Sequence, residues 1–342
     1  MDIRCGFCVP IFAAPGQWWF RTPNYDALDA NKTMAMACEA DALGYDSLWI
    51  ADHLQLGQDQ AILGGWTTMA ALAGMTRHAK LGLIHGSNLL RHAAVTARAA
   101  MTLDQISKGR LIYFIAPSAG QSEQNAYGVH WPESEQERVA QMVEALELSI
   151  ALWTTEGPVD YAGEFYQLEA ATCNPGPVQK PHPPIWIDAA RPDMYAACAR
   201  FAQGWNATPV PIPVLRDRLA GLAAACAEIG RPFDELELSF ETQILIAPDT
   251  AAIRAQLQQI IDKQSDAVEL AEDMREFLSG ASDAIPAQLA ETFLIGTPDQ
   301  IEARMRVYAE LGIRHFMLWF MDAPASDGLR LFADAVLPRF RC

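Results

Sequence analysis

The chain has 342 residues, of which 51% are hydrophobic and 20% are charged, and its formal net charge is −17. This composition is typical of a folded globular protein, and an acidic chain without a Lys/Arg run lacks the basic face that a nucleic-acid binder needs. No apolar segment reaches membrane-spanning length and the first ten residues do not resemble a signal peptide, so we expect a cytoplasmic protein that binds no membrane.

Short apolar runs alternate with helical stretches along most of the chain. The alternation predicts an α/β protein with up to eight parallel strands. A doubly wound sheet is the competing fold, but the first run is followed by AAPGQWWF and not by the glycine-rich GxGxxG turn of that fold. We therefore predict a single (β/α)8 barrel domain over 1–342. Its strands are expected near 3–11, 46–51, 81–86, 110–116, 184–189, 204–209, 237–246 and 314–319.

Helices are predicted from apolar spacing and from capping residues at 26–43, 93–107, 134–153 and 298–311. Two segments depart from the strand–helix pattern. Residues 157–171 alternate around a glycine and predict a β-hairpin. Residues 250–291 are helical, charged and too long for one crossover, so they predict an insertion over one rim that forms part of a lid.

Seven cysteines are scattered along the chain. Cys5 and Cys8 have CxxC spacing, but they lie in a predicted strand and no second Cys/His pair stands at zinc spacing nearby. Histidine and glutamate spacing gives no zinc-protease motif either. The sequence therefore predicts buried free thiols and no metal site.

Active sites of such barrels form at the carboxyl ends of the strands. His53 stands at one of these ends, directly after the run SLWIAD, and is the predicted catalytic residue. An imidazole there can exchange a proton or hydrogen-bond a cofactor carbonyl. The alternative is that its neighbour Asp52 binds it in a purely structural pair.

Other strand ends supply candidate ligand contacts. The strand-4 loop, with Ser118 and Gly120, permits close approach of a ligand. The fifth strand ends in Ala189, Ala190 and Arg191 before a helix, a combination that suits a cofactor phosphate. Both loops can equally be plain connections. Aromatic residues are predicted to wall a substrate pocket: Trp18, Trp19 and Trp319.

Several stretches resemble the bacterial-luciferase-like monooxygenase superfamily, in order and over most of the chain. The stretches are DALGYDSLWIADHL (41–54), RHAAVTARAAMTLDQISKGR (91–110), PVDYAGEFYQL (158–168), PPIWIDAARPDMYAACARFAQGW (183–205) and FLIGTPDQIEARMRVYAELGIRHFMLW (293–319). The resemblance implies a barrel that binds a reduced flavin or a deazaflavin at the strand ends. It places His53 in the catalytic or flavin-contacting position and His85 and Gly86 at the cofactor ring. It also implies a cis peptide bond between Ile84 and His85.

One position departs from the pattern of the deazaflavin branch. Those relatives often carry Gly-Glu in the strand-4 loop, and the matching pair here is Gly120-Gln121. Because glutamine cannot donate that proton, the departure favours the other branch. The leading hypothesis is a two-component monooxygenase that uses reduced FMN, oxygen and a separate flavin reductase on a small-molecule substrate. The alternatives are a coenzyme F420-dependent reductase or dehydrogenase and a non-catalytic flavin-binding protein. Relatives commonly pair, so a homodimer is expected.

Overall fold

A computed structural model of the chain describes residues 2–17, 21–118, 120–264 and 269–341. Eight parallel strands form a closed ring, because β8 and β11 both pair with β9 and β11 also pairs with β1. The strands in chain order are β1 (Arg4–Cys8), β2 (Ser47–Ala51), β3 (Lys80–Ile84), β4 (Leu111–Ile115), β5 (Val159–Ala162), β6 (Gln167–Ala171), β7 (Ile185–Asp188), β8 (Gly204–Ala207), β9 (Glu237–Ile246), β10 (Leu294–Gly296) and β11 (His315–Phe320).

Helices connect the strands and cover the outside of the barrel. Their bounds are α1 (Ala30–Ala42), α2 (Gly65–Met75), α3 (Ala93–Ser107), α4 (Gln121–Ala126), α5 (Glu135–Thr154), α6 (Pro192–Phe201), α7 (Ile212–Glu228), α8 (Thr250–Ile261), α9 (Glu272–Ser279), α10 (Ala287–Ala290), α11 (Pro298–Glu310) and α12 (Asp327–Ala335). The predicted (β/α)8 barrel is therefore confirmed, and each of the eight predicted strands overlaps an observed barrel strand.

The predicted helices are also present, with small shifts at their ends. The first begins four residues later than predicted, at Ala30, because Asp29 accepts hydrogen bonds from the backbone N–H groups of Asn31 and Lys32 and so caps the helix. The third predicted helix begins at Glu135 after the capping residue Ser134. Capping side chains, more than apolar spacing, set these boundaries.

Two large indoles fill the amino-terminal half of the barrel interior. Trp49 of β2 and Trp186 of β7 are buried, with ring centroids 5.1 Å apart. Each lies against a glycine of a neighbouring strand, since a Cβ on Gly82 or on Gly204 would lie 2.3 Å from an indole carbon. The barrel is thus a packed core and not a pore, and any ligand must bind at one of its ends.

The predicted hairpin is confirmed as β5 and β6, which pair in antiparallel fashion. Glu144 of α5 holds the turn between them, because its carboxylate accepts hydrogen bonds from the backbone N–H groups of Glu164, Phe165 and Tyr166. A buried carboxylate with several donors fixes the hairpin against the barrel wall.

The segment predicted as an insertion contains α8, α9 and α10, and β10 follows it and extends the sheet beside β9. These helices pack around an apolar cluster of their own that includes Ile253, Leu257 and Phe277. The insertion also reaches the loop after β1: the Gln264 side chain donates to the Gly16 carbonyl at 2.6 Å. The predicted lid function stays a prediction.

The cysteines and the helices bear on two further expectations. Within the described segments, Cys5, Cys8, Cys173, Cys198 and Cys226 are buried free thiols, as predicted, and Cys38 is a free thiol that is half-buried. Burial raises the pKa of both the Cys5 and the Cys8 thiol well above the ordinary value for a thiol.

None of the described helices is long and apolar enough to cross a bilayer.

Candidate active site

A cavity of about 380 Å³ opens among the carboxyl ends of the barrel strands. Its wall combines residues from β7, α5, α6 and the loops that follow β1, β2, β3, β4, β7 and β8. The lining residues are Arg21, His53, His85, Ala116, Pro117, Ser118, Glu135, Arg138, Asp188, Ala190, Arg191, Met194 and Thr208. Its size lies within the usual range for small-molecule sites, about 300–1,000 Å³.

A larger cavity, about 630 Å³, lies at the opposite end of the barrel, where Arg4, Lys80, Glu237 and His315 begin their strands. The imidazole of His315 there is buried and bound on both ring nitrogens, by Glu237 at 2.9 Å and by Ser47 at 2.8 Å. Because catalysis in this fold takes place at the carboxyl ends of the strands, the smaller cavity is the candidate active site.

His53 reaches the cavity and binds a carboxylate. Its Nδ1 atom lies 2.8 Å from Oε1 of Glu123, which belongs to the first turn of α4. The same carboxylate accepts hydrogen bonds from the backbone N–H groups of Leu54 at 2.7 Å and Gly120 at 2.8 Å. Burial alone would raise the pKa of Glu123, but the bonds from His53, Gly120 and Leu54 outweigh it and lower this pKa to about 2.

The ionised Glu123 carboxylate fixes the orientation of the His53 ring. It accepts a hydrogen bond from the N–H group at Nδ1, so that Nε2 faces away from Glu123 and can bind a ligand. Gln121 stands where deazaflavin relatives often carry a glutamate, and the sequence predicts that the strand-4 loop lacks that acidic residue. The structure corrects this: Glu123, two residues further along, supplies a carboxylate directly to the histidine.

Asp52 has other partners, so the alternative that it pairs with His53 is wrong. Its carboxylate is buried and binds the guanidinium of Arg91 through two hydrogen bonds of 2.8 Å each. It also accepts a hydrogen bond from the backbone N–H of Ser87. This ion pair joins the end of β2 to the loop after β3, while His53 points into the cavity.

A charged cluster forms the deep side of the cavity, and it centres on Glu241 of β9, whose side chain is fully buried. The Glu241 carboxylate accepts hydrogen bonds from Nε of Arg21 at 2.6 Å and from Nε1 of Trp319 at 2.8 Å. His85 lies 3.0 Å from Glu241 through Nε2 and 3.0 Å from Asp188 through Nδ1. We call these four ionisable residues, Arg21, His85, Asp188 and Glu241, the floor cluster.

The charges of the floor cluster depend on one another. Burial would raise the pKa of Glu241, but Arg21 and His85 outweigh it and hold this pKa well below its ordinary value. Burial and Arg21 disfavour a charged His85, but Asp188 and Glu241 outweigh them and raise its pKa. The floor cluster therefore contains two carboxylates, one guanidinium and one imidazole whose protonation the carboxylates favour.

Of the remaining candidates, Ser118, Ala190 and Arg191 line the cavity with His53 and His85. The Arg191 side chain pairs with Asp193 at 2.7 Å and with Glu135 on the rim. The predicted substrate contacts Trp18 and Trp19 lie outside the described residues.

Four candidates lie away from the cavity lining. Trp319 is buried and binds Glu241, so its position is not that of the predicted pocket wall. Ala189 is fully buried, and its carbonyl accepts a hydrogen bond from Trp205. Gly86 packs against the backbone of β4, where a Cβ would lie 2.5 Å from the Phe114 carbonyl oxygen. Gly120 acts indirectly, through its N–H bond to Glu123.

The expected cis peptide bond between Ile84 and His85 is also wrong. In the described chain, the cis bonds precede Pro175, Pro181 and Pro324. His85 instead has a positive φ of 53°, and the carboxylates on both of its ring nitrogens hold the residue in this uncommon conformation.

Sequence reasoning missed Arg21, Glu123 and Glu241 as members of the site. Glu241 carries a signal that could have been used, since a glutamate inside the apolar strand ELSFETQILI must have partners if it is buried. Glu123 also carries a signal: a glutamate three residues after Gly120 occupies the position of a capping carboxylate. Arg21 has none, because its partners are more than 60 residues away.

Known proteins resemble this chain in sequence and in fold. The model for luciferase-like monooxygenases matches residues 12–315. The chain belongs to the luciferase-like monooxygenase family. An F420-dependent glucose-6-phosphate dehydrogenase from Nakamurella multipartita is 30% identical to it over 325 residues, covering 90% of this chain and 91% of that protein.

Two solved structures show that this luciferase-like chain has the fold of its family. An F420-dependent secondary alcohol dehydrogenase, solved with an F420–acetone adduct, superimposes with a TM-score of 0.76 at 18% identity and full coverage of both chains. A monooxygenase from Streptomyces bottropensis gives 0.75 at 22% identity, covering 99% of this chain and all of the other. The family match and the Nakamurella relative together make this luciferase-like protein an oxidoreductase that uses a flavin or F420, and the non-catalytic alternative is set aside.

Replacing Glu123 by Gln in this luciferase-like enzyme is expected to remove an acid-sensitive part of its stability. The pKa of Glu123 is about 2 in the folded chain, below its ordinary value, so the ionised pair stabilises the fold fully above the ordinary pKa and loses its effect as pH falls towards 2. At pH 7 the loss should be on the order of 3 kcal/mol, and at pH 3 less than half of that. Urea unfolding at both pH values measures it.

The exposed Glu228 on α7 provides the control. Replacing Glu228 by Gln should leave the free energy of unfolding unchanged at both pH values, within about 0.5 kcal/mol. If the Glu123→Gln protein has the same stability as the wild type at pH 7 and pH 3, the carboxylate does not have the lowered pKa that its contacts predict.

Proposed function

We propose that this enzyme is an F420-dependent oxidoreductase that transfers hydride between the deazaflavin and an alcohol or carbonyl substrate. The observation that carries the proposal is the His53–Glu123 pair on a polar cavity. Oxidation of an alcohol to a carbonyl releases one hydride and one proton, so the site needs a proton acceptor beside the hydride carrier. His53, with Nδ1 held by an ionised carboxylate, is suited to that task.

The polarity of the cavity supports this choice over oxygen activation. A flavin hydroperoxide needs a site that excludes water. Among the described residues, no Phe, Tyr or Trp lines the cavity, whereas Arg21, Glu135, Arg138, Asp188 and Arg191 do. A polar wall suits a hydroxylated substrate better than it suits a water-free oxygenation site.

The residues of the cavity fit a deazaflavin or flavin with its phosphate. Arg138 and Arg191 on the rim supply guanidinium groups for a phosphate, and Ala190 leaves room beside them. The Arg138 guanidinium lies over the Trp131 ring, 4.4 Å from its centroid, which holds it in place. When bound, the deazaflavin supplies the hydride chemistry, and His53 takes the proton from the substrate oxygen at Nε2.

The relatives support the same choice of cofactor. The Nakamurella protein, 30% identical over nine tenths of this chain, is named as an F420-dependent dehydrogenase. The second candidate is a two-component monooxygenase that uses reduced FMN with a separate reductase, and it is favoured by the description of the matching family model. The small-molecule substrate and the homodimer remain predictions under either candidate.

An anaerobic titration with F420 and with reduced FMN tests the proposal. We expect saturable F420 binding, at least tenfold tighter than that of reduced FMN, or about 1.4 kcal/mol. Replacing Arg191 by Gln should weaken F420 binding about tenfold by removing a phosphate contact. The same change at exposed Arg216 on α7 should not.

The outcome that contradicts the proposal is equally specific. Tighter binding of reduced FMN, followed by a transient hydroperoxide absorbance when oxygen is admitted, would establish the monooxygenase and exclude the F420 enzyme. Unchanged F420 affinity in the Arg191→Gln protein would remove that arginine from the cofactor site.

A further inference from the structure

A second histidine–carboxylate pair lies on the same cavity as His53 and Glu123. His85, at the end of β3, binds Asp188, at the end of β7, through Nδ1 and Oδ2 at 3.0 Å. Both residues line the cavity, and their side chains are 15% and 21% exposed. The proton chemistry of the proposed reaction requires one such pair, so the second one needs a different explanation.

Asp188, and not His85, is the member of the pair that can bind a ligand. The protein occupies both ring nitrogens of His85, since Nε2 contacts Arg21 at 2.7 Å and Glu241 at 3.0 Å. His85 therefore acts as a positioning residue. Asp188 can accept further hydrogen bonds: Oδ2 has one bond from His85, and Oδ1 is buried without a hydrogen-bond partner among the residues that the structure describes.

A buried carboxylate oxygen without a donor is uncommon in folded proteins and indicates a missing partner. Asp188 lines the cavity and its side chain is 21% exposed, so the carboxylate that carries this unsatisfied oxygen borders the space that a ligand fills. Such an acceptor selects a ligand that donates a hydrogen bond at this point. Carbonyl, ether and carboxylate oxygens do not donate a hydrogen bond, and an alkane has no polar hydrogen to donate.

The charge of the floor cluster narrows the ligand class further. Arg21 donates two hydrogen bonds to Glu241 and so offsets its charge, which leaves Asp188 with the bond to His85. A ligand carboxylate beside Asp188 would bring two like charges together and is therefore disfavoured. Because the proposed reaction acts on an alcohol, a hydroxyl group is the donor that meets this acceptor.

We infer that Asp188 is the specificity-determining residue of this cavity and accepts a hydrogen bond from a second hydroxyl of the substrate, one that does not react, so that the enzyme selects polyols. The inference rests on the proposed function and deepens it. His53 takes the proton of the reacting hydroxyl, while Asp188 holds the second hydroxyl and His85 holds Asp188. A substrate with a single hydroxyl should bind more weakly, because it lacks the second donor.

The test uses the whole protein with F420 bound and a panel of neutral alcohols: 2-propanol, cyclohexanol, glycerol and glucose. Replacing Asp188 by Asn keeps the shape but exchanges an acceptor for an amide. We expect KM for the best alcohol to rise at least tenfold while kcat changes less than threefold. F420 affinity should not change. Asp217→Asn, an exposed change on α7, is the control.

A second readout does not depend on turnover. In the wild type, the NMR signals of the His85 ring, assigned with a His85→Gln variant, should shift when the alcohol is added, since Asp188 bonds both groups. The shift should be absent with acetate and in the Asp188→Asn protein. Asp188→Ser serves as the second variant if Asn prevents folding.

Two failures can be told apart. If F420 binds but Asp188→Asn and the wild type have equal KM for every alcohol, or no alcohol binds the wild type, the inference about Asp188 is overturned while the choice of cofactor stands. If F420 itself does not bind, the proposed function fails.

Discussion

Replacing His53 by Gln is expected to lower kcat for hydride transfer between F420 and an alcohol by at least about 10²-fold. Glutamine can still donate a hydrogen bond to Glu123, so the local structure should persist. It cannot accept a proton at the substrate oxygen, and the alcohol must then lose its proton to water. Steady-state kinetics at saturating F420 measure the effect.

The exposed His130 provides the matched control, because it lies outside the cavity lining. His130→Gln should leave kcat within twofold of the wild type. The free energy of unfolding of the His53→Gln protein should fall by less than about 1 kcal/mol, since the hydrogen bond to Glu123 is replaced and not lost. Unchanged kcat in the His53→Gln protein would remove this residue from proton transfer.

Removal of the Glu241 side chain should have the largest effect on stability. Glu241 is fully buried and is bound by Arg21, His85, Asn206 and Trp319. Glu241→Ala leaves the half-buried Arg21 guanidinium and the His85 imidazole without the buried carboxylate that binds them, and breaking such a pair typically costs about 3–5 kcal/mol. We expect the free energy of unfolding at pH 7 to fall by that amount, measured by urea denaturation.

Two further variants separate charge from packing. Glu241→Gln keeps the volume and removes the charge, so it should lose less stability than Glu241→Ala. Glu39→Ala breaks an ion pair with Arg330, whose side chain is 55% exposed, and should cost at most about 1 kcal/mol.

A double-mutant cycle between Glu241 and Arg21 measures how strongly the two are coupled. The effects of removing both side chains should fall short of additivity by about 1–3 kcal/mol. If the two effects are additive and Glu241→Ala costs no more than Glu39→Ala, the floor cluster is not held by the carboxylate.

The barrel itself could be predicted from the chain because its signals are local. A strand such as SLWIA is almost entirely apolar, as buried parallel strands are, and a helix such as α3 has its capping residues directly beside it in the sequence. These patterns also give the order of elements, and the rule that barrel sites form at strand carboxyl ends placed His53, His85, Ser118 and Arg191 on one cavity.

The partners of those residues could not be predicted in the same way. His53 and Glu123 are 70 positions apart, and Arg21 and Glu241 are 220 apart. No local pattern relates residues at such distances, and the only acid that the sequence places beside His53 is Asp52, the partner in the alternative that the structure excludes. Ring closure brings the loops after β1, β2 and β4 to one mouth, and this decides which acid meets which base.

The sequence by itself determined the (β/α)8 architecture, the hairpin, the insertion and the end of the barrel where the candidate active site lies. The spacing of apolar residues and the capping of helices involve residues only a few positions apart, so both can be recognised in the sequence. Only the tertiary structure decided the hydrogen-bonding partners, the raised pKa of His85, the lowered pKa values of Glu123 and Glu241, and the open acceptor on Asp188. Such properties depend on burial and on atoms within about 3–6 Å, which folding brings together from distant parts of the chain.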